Sequence, residues 1–197
     1  MFGLRSMTLI SSADQRSTID IASEFAQRSP MSEPTQDPAI RQATPSDVPR
    51  IIELIRGIAE YEKLTHQLEI DEARLHESLF GENPVPRALV ATSGDRTIGY
   101  AIYFYNYSTF IGKPGIYLED LYVEPDYRSR GFGNALFSRV AKIARDEDCG
   151  RMEWMALDWN EPALNFYKER GAKCLDEWRL LRFTEDDLKR LAENASD

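Results

Sequence analysis

The sequence predicts a domain of the α+β class, in which helices flank a mixed, mostly antiparallel sheet. Segments with strand and helix periodicity follow one another in the order β-α-α-β-β-β-α-β-α-β. Three successive strands joined by short turns predict antiparallel pairing, and the later strand–helix–strand unit predicts a parallel pair. A hydrophobic content of 42% over 197 residues is sufficient for one domain with a sizeable core.

The first half of this order begins with a short strand over residues 40–43. A capping box that starts at Thr44 and closes with Asp47 predicts the beginning of a helix. The apolar residues of that helix recur at helical spacing and form one face: Val48, Ile51, Ile52, Ile55, Ile58 and Ala59. A second, shorter helix is predicted over residues 71–80.

Three strands and a glycine-containing turn come next. We predict the strands over residues 87–91, 97–107 and 115–123, with a hairpin turn at 93–95. The turn at 129–134 then leads into an amphipathic helix. Its apolar stripe consists of Ala135, Leu136, Val140, Ala141 and Ile143.

The remaining elements complete the strand–helix–strand unit. A strand is predicted over residues 151–158, a helix over 161–170 and a final strand over 178–183. Thr184 begins a closing helix by the same capping logic as Thr44. Residues 1–37 contain a proline-rich stretch, and we expect them to form a flexible extension that precedes a domain of residues 38–197.

The turn between the strand at 115–123 and the next helix has the features of an anion site. Gly131 and Gly133 leave room there, and the first N–H groups of a helix lack partners and favour a negative charge. The chain has no Gly-x-Gly-x-x-Gly and no Gly-Lys-Ser/Thr, which argues against the diphosphate of NAD or ATP. An ordinary helix cap with glycine for backbone freedom is the alternative.

The charge of the chain restricts its partners. With 33 acidic and 24 basic residues the formal net charge is −9, which argues against nucleic acid and favours a cationic substrate. No apolar run approaches the roughly 18 residues of a membrane span, so we expect no membrane partner. Cys149 and Cys174 lack metal or redox spacing, which predicts a reducing, cytoplasmic location and no metal cofactor.

Dispersed motifs identify a family. Arg128, Gly131 and Gly133 match the pattern Gln/Arg-x-x-Gly-x-Gly/Ala, so the turn resembles the coenzyme A signature of the GNAT acetyltransferase superfamily. Residues 117–120 (Tyr-Leu-Glu-Asp) and the stretch at 159–168 are similar to the diamine (spermidine/spermine) acetyltransferase branch. The resemblance covers residues 39 to 190, and it implies a GNAT fold, acetyl-CoA as co-substrate, a small amine as acceptor and a homodimer.

Two residues are candidates for the chemistry of such a transfer. A primary amine has a pKa of about 10.4, so only about one molecule in 2,500 is neutral at pH 7. A group that accepts the proton of the ammonium therefore increases the rate of the transfer. Glu119 is the candidate acceptor, acting through a water, and the resemblance places a substrate-binding acid at this position. Tyr167 is the candidate general acid that protonates the departing sulfur, since the resemblance places the catalytic tyrosine of the branch at this position. Regular alternation would send Glu119 and Asp120 to opposite faces unless a β-bulge intervenes, and the resemblance implies a bulge at this place.

The resemblance also implies the binding residues. Backbone groups of residues 121–123 would pair with the pantetheine amides of coenzyme A, and the N–H groups of residues 129–134 would face its diphosphate. The predicted cofactor-binding residues are Leu121, Tyr122, Val123, Arg128, Ser129, Arg130, Gly131, Phe132, Gly133, Asn134 and Asn160. The predicted substrate-binding residues are Tyr61, Glu62, Glu119 and Asp120.

Three functional alternatives stay open at this point. The acceptor is expected to be a small polyamine or diamine that attacks the thioester directly, and a lysine-like amino acid such as thialysine is the runner-up. The third alternative, from a different class, is a non-catalytic acyl-CoA-binding module that regulates a partner. Asp176 and Glu177 are either ligands for the far ammonium of a diamine or solvated surface acids.

Overall fold

A computed structural model describes residues 38–195, and they form one five-stranded sheet with helices on both faces. The strands lie side by side in chain order: β1 (Ala39–Gln42), β2 (Arg87–Ser93), β3 (Arg96–Ser108), β4 (Lys113–Val123) and β5 (Arg151–Trp154). The helices are α1 (Val48–Tyr61), α2 (Glu72–Phe80), α3 (Phe132–Asp146), α4 (Glu161–Lys168) and α5 (Glu185–Ala192). The extension predicted over residues 1–37 lies outside the described residues.

Strand pairing confirms the predicted mixture of directions. Strands β1 to β4 are antiparallel neighbours, whereas β4 and β5 are parallel. The parallel pairing is short, because it joins only residues 115–118 of β4 to residues 151–154 of β5. β4 continues to Val123 after β5 has ended, so within residues 38–195 its last five residues have no strand neighbour on that side. A cleft therefore opens at the edge of the sheet.

Two hydrophobic clusters hold the helices against the sheet. On one face α1 and α2 bury their apolar stripes against side chains from β2, β3 and β4, with Ile51, Leu75 and Tyr100 among the buried residues. On the other face α3 buries Leu136 and Val140 against the same strands. The amphipathic periodicity of the sequence thus places each helix on its face of the sheet. No helix between residues 38 and 195 combines the length and the apolarity that crossing a membrane requires.

The bulge expected near Glu119 is present in β4. Ile102 lies opposite Asp120, but the next residue of β3, Tyr103, lies opposite Leu118. Glu119 is therefore the extra residue of a β-bulge. Residues two apart in a regular strand share a face, yet Leu118 packs in the α3 cluster, whereas Asp120 is paired with a residue of the α1 cluster. The bulge turns Asp120 toward the α1 face.

The prediction of a final strand over residues 178–183 is wrong. These residues have no strand pairing, and Trp178, Leu180, Leu181 and Phe183 are exposed. An apolar pattern predicts a strand only where another strand can complete its hydrogen bonds, and within the described residues no neighbour does so. The strand predicted over 151–158 is also shorter than expected and ends at Trp154, while the closing helix begins with the predicted capping box at Thr184.

Candidate active site

The turn before α3 presents amide groups to an anion. Gly131 caps the helix with φ at +88°, and Ser129 is also left-handed with φ at +60°. The first helical hydrogen bond runs from the N–H of Ala135 to the carbonyl oxygen of Gly131, at 2.9 Å. The preceding amides, of residues 132–134, therefore have no helical partner and lie at the positive end of the helix dipole.

A groove of about 310 Å³ lies directly in front of these amides. Its lining residues are Val123, Arg128, Ser129, Gly131, Gly133, Asn134, Phe166 and Arg170. Six of the eight are predicted cofactor-binding residues. A Cβ atom added at Gly133 would meet only the Cγ2 atom of Val123, at 4.0 Å, so glycine keeps this part of the groove open. The turn therefore fits the diphosphate of a coenzyme A molecule.

The two arginines of the signature are both held by aromatic rings. The guanidinium of Arg128 lies 5.0 Å from the ring centre of Tyr61 and 5.5 Å from that of Tyr122. Its Nε donates to the carbonyl oxygen of Val123 at 3.0 Å, which ties the turn to the end of β4. Arg130 stacks over Tyr127 at 5.3 Å. These cations thus shape the turn as well as adding positive charge beside the groove.

Arg170 is a groove residue that the sequence analysis missed. Its Nε donates to the Oδ1 atom of Asn134 at 2.9 Å, and its guanidinium lies 3.7 Å from the ring centre of Phe166. The residue follows α4, 36 positions after the turn that it contacts, so only the packing of α4 brings it to the groove. The one local signal is a basic residue just before Gly171, a common feature of helix ends.

Replacing Arg170 by glutamine is expected to weaken coenzyme A binding by about five- to tenfold, or ~1 kcal/mol, because an exposed cation beside a phosphate makes a modest contribution. The effect is expected to shrink as salt screens the charge. Isothermal titration calorimetry with coenzyme A at low and high ionic strength measures the loss of affinity and its dependence on salt. Arg139→Gln, an exposed arginine of α3 outside the groove, serves as the matched control. Equal affinities of the two variants at low salt would remove Arg170 from the cofactor site.

The end of β4 offers its backbone to the cleft. Tyr122 and Val123 are buried, and Leu121 packs against the α3 cluster. Phe132, the first residue of α3, is buried in the same cluster. The side chains of these four predicted cofactor residues therefore belong to the core, which leaves their main-chain groups as the atoms available for the predicted pairing with the cofactor.

Tyr167 lies next to the point where β4 and β5 separate. Its ring centre is 4.9 Å from that of Trp154, the last residue of β5, which is paired with Leu118. Phe137 and Phe166 complete an aromatic cluster around it. Desolvation in this cluster raises the pKa of Tyr167 to about 12. The phenol therefore keeps its proton at neutral pH and is available as a hydrogen-bond donor.

Three acids gather on the α1 side of the cleft. The Oδ2 atom of Asp120 accepts a hydrogen bond from the hydroxyl of Tyr100 at 3.1 Å. Desolvation raises the pKa of Asp120 to about 6, and the negative charges of Glu119 and Glu62 act in the same direction. Burial also raises the pKa of Glu62, which follows the last turn of α1, whereas Glu119 is exposed. The arrangement concentrates negative charge beside the bulge.

Tyr61 and Asn160 connect the end of α1 to the start of α4. The hydroxyl of Tyr61 donates to the Oδ1 atom of Asn160 at 3.1 Å, and the same oxygen caps α4 by accepting from the N–H of Ala163. The contact between Asn160 and the coenzyme stays a prediction. Because Oδ1 is already bonded, the other polar atoms of Asn160 would make this contact. Asp176 and Glu177 are exposed in the segment between α4 and α5.

Comparisons with known proteins identify the family of this chain. Residues 49–172 match the model of the Acetyltransferase (GNAT) family, and the chain belongs to that family. The thialysine N-epsilon-acetyltransferase of Bos taurus is 40% identical over 164 residues, which cover 78% of this chain and 96% of the relative. The spermidine/spermine N(1)-acetyltransferase-like protein 1 of Homo sapiens is 34% identical over 163 residues, covering 78% of this chain and 23% of the relative.

A solved structure supports the fold. An integron cassette protein from the mobile metagenome of V. cholerae superposes with a TM-score of 0.67 at 25% identity, covering 81% of this chain and 99% of that one. The predicted GNAT fold and the predicted branch are thereby confirmed. The chain is an acetyl-CoA-dependent amine N-acetyltransferase.

Proposed function

We propose that the chain acetylates the terminal primary amine of a small diamine or polyamine, which attacks acetyl-CoA directly. The observation that carries this proposal is the group of acids beside the cleft, Glu62, Glu119 and Asp120. Negative charge at this place attracts a protonated amine to the thioester end of the coenzyme, and the net charge of −9 acts in the same direction.

The proposed chemistry uses one acid and one phenol. Glu119 accepts a proton from the ammonium through a water, which reaches it because the side chain is exposed. The neutral nitrogen then attacks the thioester carbon, the C–N bond forms, and the C–S bond breaks. Tyr167 donates a proton to the departing sulfur, and the proton that the nitrogen loses as the amide forms restores the phenol through solvent. We assign no acyl carrier, since Cys174 is exposed in the segment after α4 and Cys149 follows α3, so neither lies in the groove.

A lysine-like amino acid is the second candidate acceptor. It is favoured by the 40% identity to a thialysine N-epsilon-acetyltransferase along nearly the whole length of that relative. Such an acceptor presents the same primary amine as a diamine, so the three acids serve either one. The two candidates differ at the far end of the acceptor, which carries an ammonium in a diamine and a carboxylate beside an amino group in an amino acid.

A parallel kinetic survey separates these candidates. Purified full-length chain is mixed with acetyl-CoA and with putrescine, spermidine, lysine or thialysine, and kcat/KM is measured from the release of free thiol. Higher values for putrescine or spermidine support the first candidate, and higher values for lysine or thialysine support the second. Inactivity on all four would contradict the small-amine proposal and would favour a regulatory module that only binds acyl-CoA.

We also propose that the chain forms a homodimer in a cytoplasmic setting. Support comes from the exposed apolar side chains of the segment after α4, together with Leu188 and Leu191 of α5. Several exposed apolar side chains close together in the sequence are a common feature of interaction surfaces. A light-scattering mass of two chains is the expected result, and a mass of one chain at micromolar concentration would contradict it.

A further inference from the structure

We propose that Tyr100 is a positioning residue, whose hydroxyl holds the carboxylate of Asp120 in place for the acceptor amine. This inference rests on the proposed amine-acetylating function. It adds a residue that lies entirely inside the sheet and that no motif of the sequence singles out. Tyr100 acts through Asp120 and does not itself contact the acceptor.

The register of the sheet brings the two side chains together. Tyr100 of β3 lies opposite Tyr122, and Asp120 is two residues earlier on β4. Diagonal neighbours on one face are within reach of long aromatic side chains, and the Tyr100 hydroxyl donates to the Oδ2 atom of Asp120 at 3.1 Å. Tyr100 is 0% exposed. A buried phenol usually has a hydrogen-bond acceptor, and Asp120 supplies it here.

The bulge is the reason that Asp120 needs support. By placing Glu119 as the extra residue, it turns Asp120 to the α1 face, where that carboxyl lies near two other acids. Glu62 faces it from the end of α1, and Glu119 faces it from β4. Arg128, a cation of the turn, contacts the rings of Tyr61 and Tyr122 instead.

Tyr100 is thus the principal group that favours the ionised form of Asp120. Between residues 38 and 195, Asp120 forms no ion pair and accepts a side-chain hydrogen bond from Tyr100 alone. Desolvation and the two neighbouring acids raise the pKa of Asp120, and the hydrogen bond from Tyr100 opposes that rise. Without the hydroxyl, the pKa increases further, so less of Asp120 is charged near neutral pH and a protonated amine is bound more weakly.

Tyr100→Phe removes only the hydroxyl, and β3 offers a matched control. Tyr103 is also 0% exposed, but it packs in the α3 cluster, and its hydroxyl has no hydrogen-bond partner among residues 38–195. We expect Tyr100→Phe to move the acidic limb of the kcat/KM profile up by about one pH unit. It is also expected to raise the amine KM at pH 7 several-fold, with the acetyl-CoA KM unchanged. Tyr103→Phe is expected to change none of these.

A direct titration makes the result independent of turnover. Carboxyl carbon NMR gives the pKa of Asp120 in the wild type and in Tyr100→Phe, with Asp120→Asn used to assign the signal. A higher midpoint in Tyr100→Phe together with a shifted limb supports the inference. An unchanged midpoint, or the same limb shift in Tyr103→Phe, would overturn it.

The outcomes separate this inference from the proposed function. If no amine is acetylated by the wild type, the proposed function fails, and the NMR midpoint still decides whether Tyr100 controls Asp120. If amines are acetylated but Tyr100→Phe leaves the acidic limb and the NMR midpoint of Asp120 unchanged, the proposed function stands and only the role of Tyr100 is wrong. Should Tyr100→Phe fail to fold, Asp120→Asn provides the decision, because it keeps an acceptor for the hydroxyl but removes the charge. A displaced acidic limb in this variant supports the inference, and a limb that stays in place shows that Asp120 does not set it and overturns the inference.

Discussion

Replacing Tyr167 by phenylalanine is expected to lower kcat by about 10²–10⁴-fold, the usual contribution of a positioned general acid. The affinity for coenzyme A is expected to stay within about twofold, since the ring remains in its cluster with Phe137 and Trp154. The expected loss comes from proton donation, because the raised pKa of about 12 means that the phenol is protonated throughout the neutral range. Single-turnover acetylation together with calorimetry of coenzyme A measures both quantities.

The matched control for this experiment is Tyr105→Phe. Tyr105 is a partly buried tyrosine that packs against the α3 cluster, away from the cleft. Its variant should keep the wild-type kcat. A Tyr167→Phe enzyme with more than half the wild-type kcat would show that the sulfur leaves without help from this hydroxyl.

Replacing Gly133 by valine is expected to weaken coenzyme A binding by at least about 100-fold, or ~2.8 kcal/mol, without unfolding the domain. The space around this residue is groove and not core, since an added Cβ would have its nearest neighbour at 4.0 Å. A larger side chain therefore fits the fold but occupies the volume in front of the α3 amides. Calorimetry measures the affinity, and thermal unfolding measures the stability.

Gly133→Ala is the graded control for the valine variant. Alanine adds a single methyl group, and in a helix it is more favourable than glycine by up to ~1 kcal/mol. We therefore expect a slightly more stable domain with a smaller loss of affinity. If both variants bind coenzyme A as tightly as the wild type does, the groove in front of α3 is not where the diphosphate lies.

The parts of the fold that sequence predicted correctly are those decided by local chemistry. The capping box at Thr184 marks the start of α5, and the one at Thr44 marks a short 3-10 helix (Pro45–Asp47) that leads directly into α1, because the bonds involved span three residues. The strand over 178–183 was predicted wrongly, because an apolar pattern does not tell which strand, if any, completes its hydrogen bonds. Local signals therefore locate helices more reliably than they locate the last strand of a sheet.

The same distinction applies to the candidate site. The groove residues from Val123 to Asn134 are close in sequence and were all predicted from the family resemblance of β4 and the turn that follows it. Phe166 and Arg170 reach the groove only through the packing of α4, so no local pattern identifies them. The bulge could be anticipated from the family resemblance, but the choice of Tyr100 as the partner of Asp120 depends on the register between β3 and β4.

A crystal structure with coenzyme A and an acceptor amine tests the central claim most directly. We predict a diphosphate against the amides of residues 132–134, a sulfur within ~3.5 Å of the Tyr167 hydroxyl, and the acceptor nitrogen on the side of Glu119. Coenzyme A bound away from the α3 turn, or Tyr167 and Glu119 on opposite sides of the protein from each other, would contradict it.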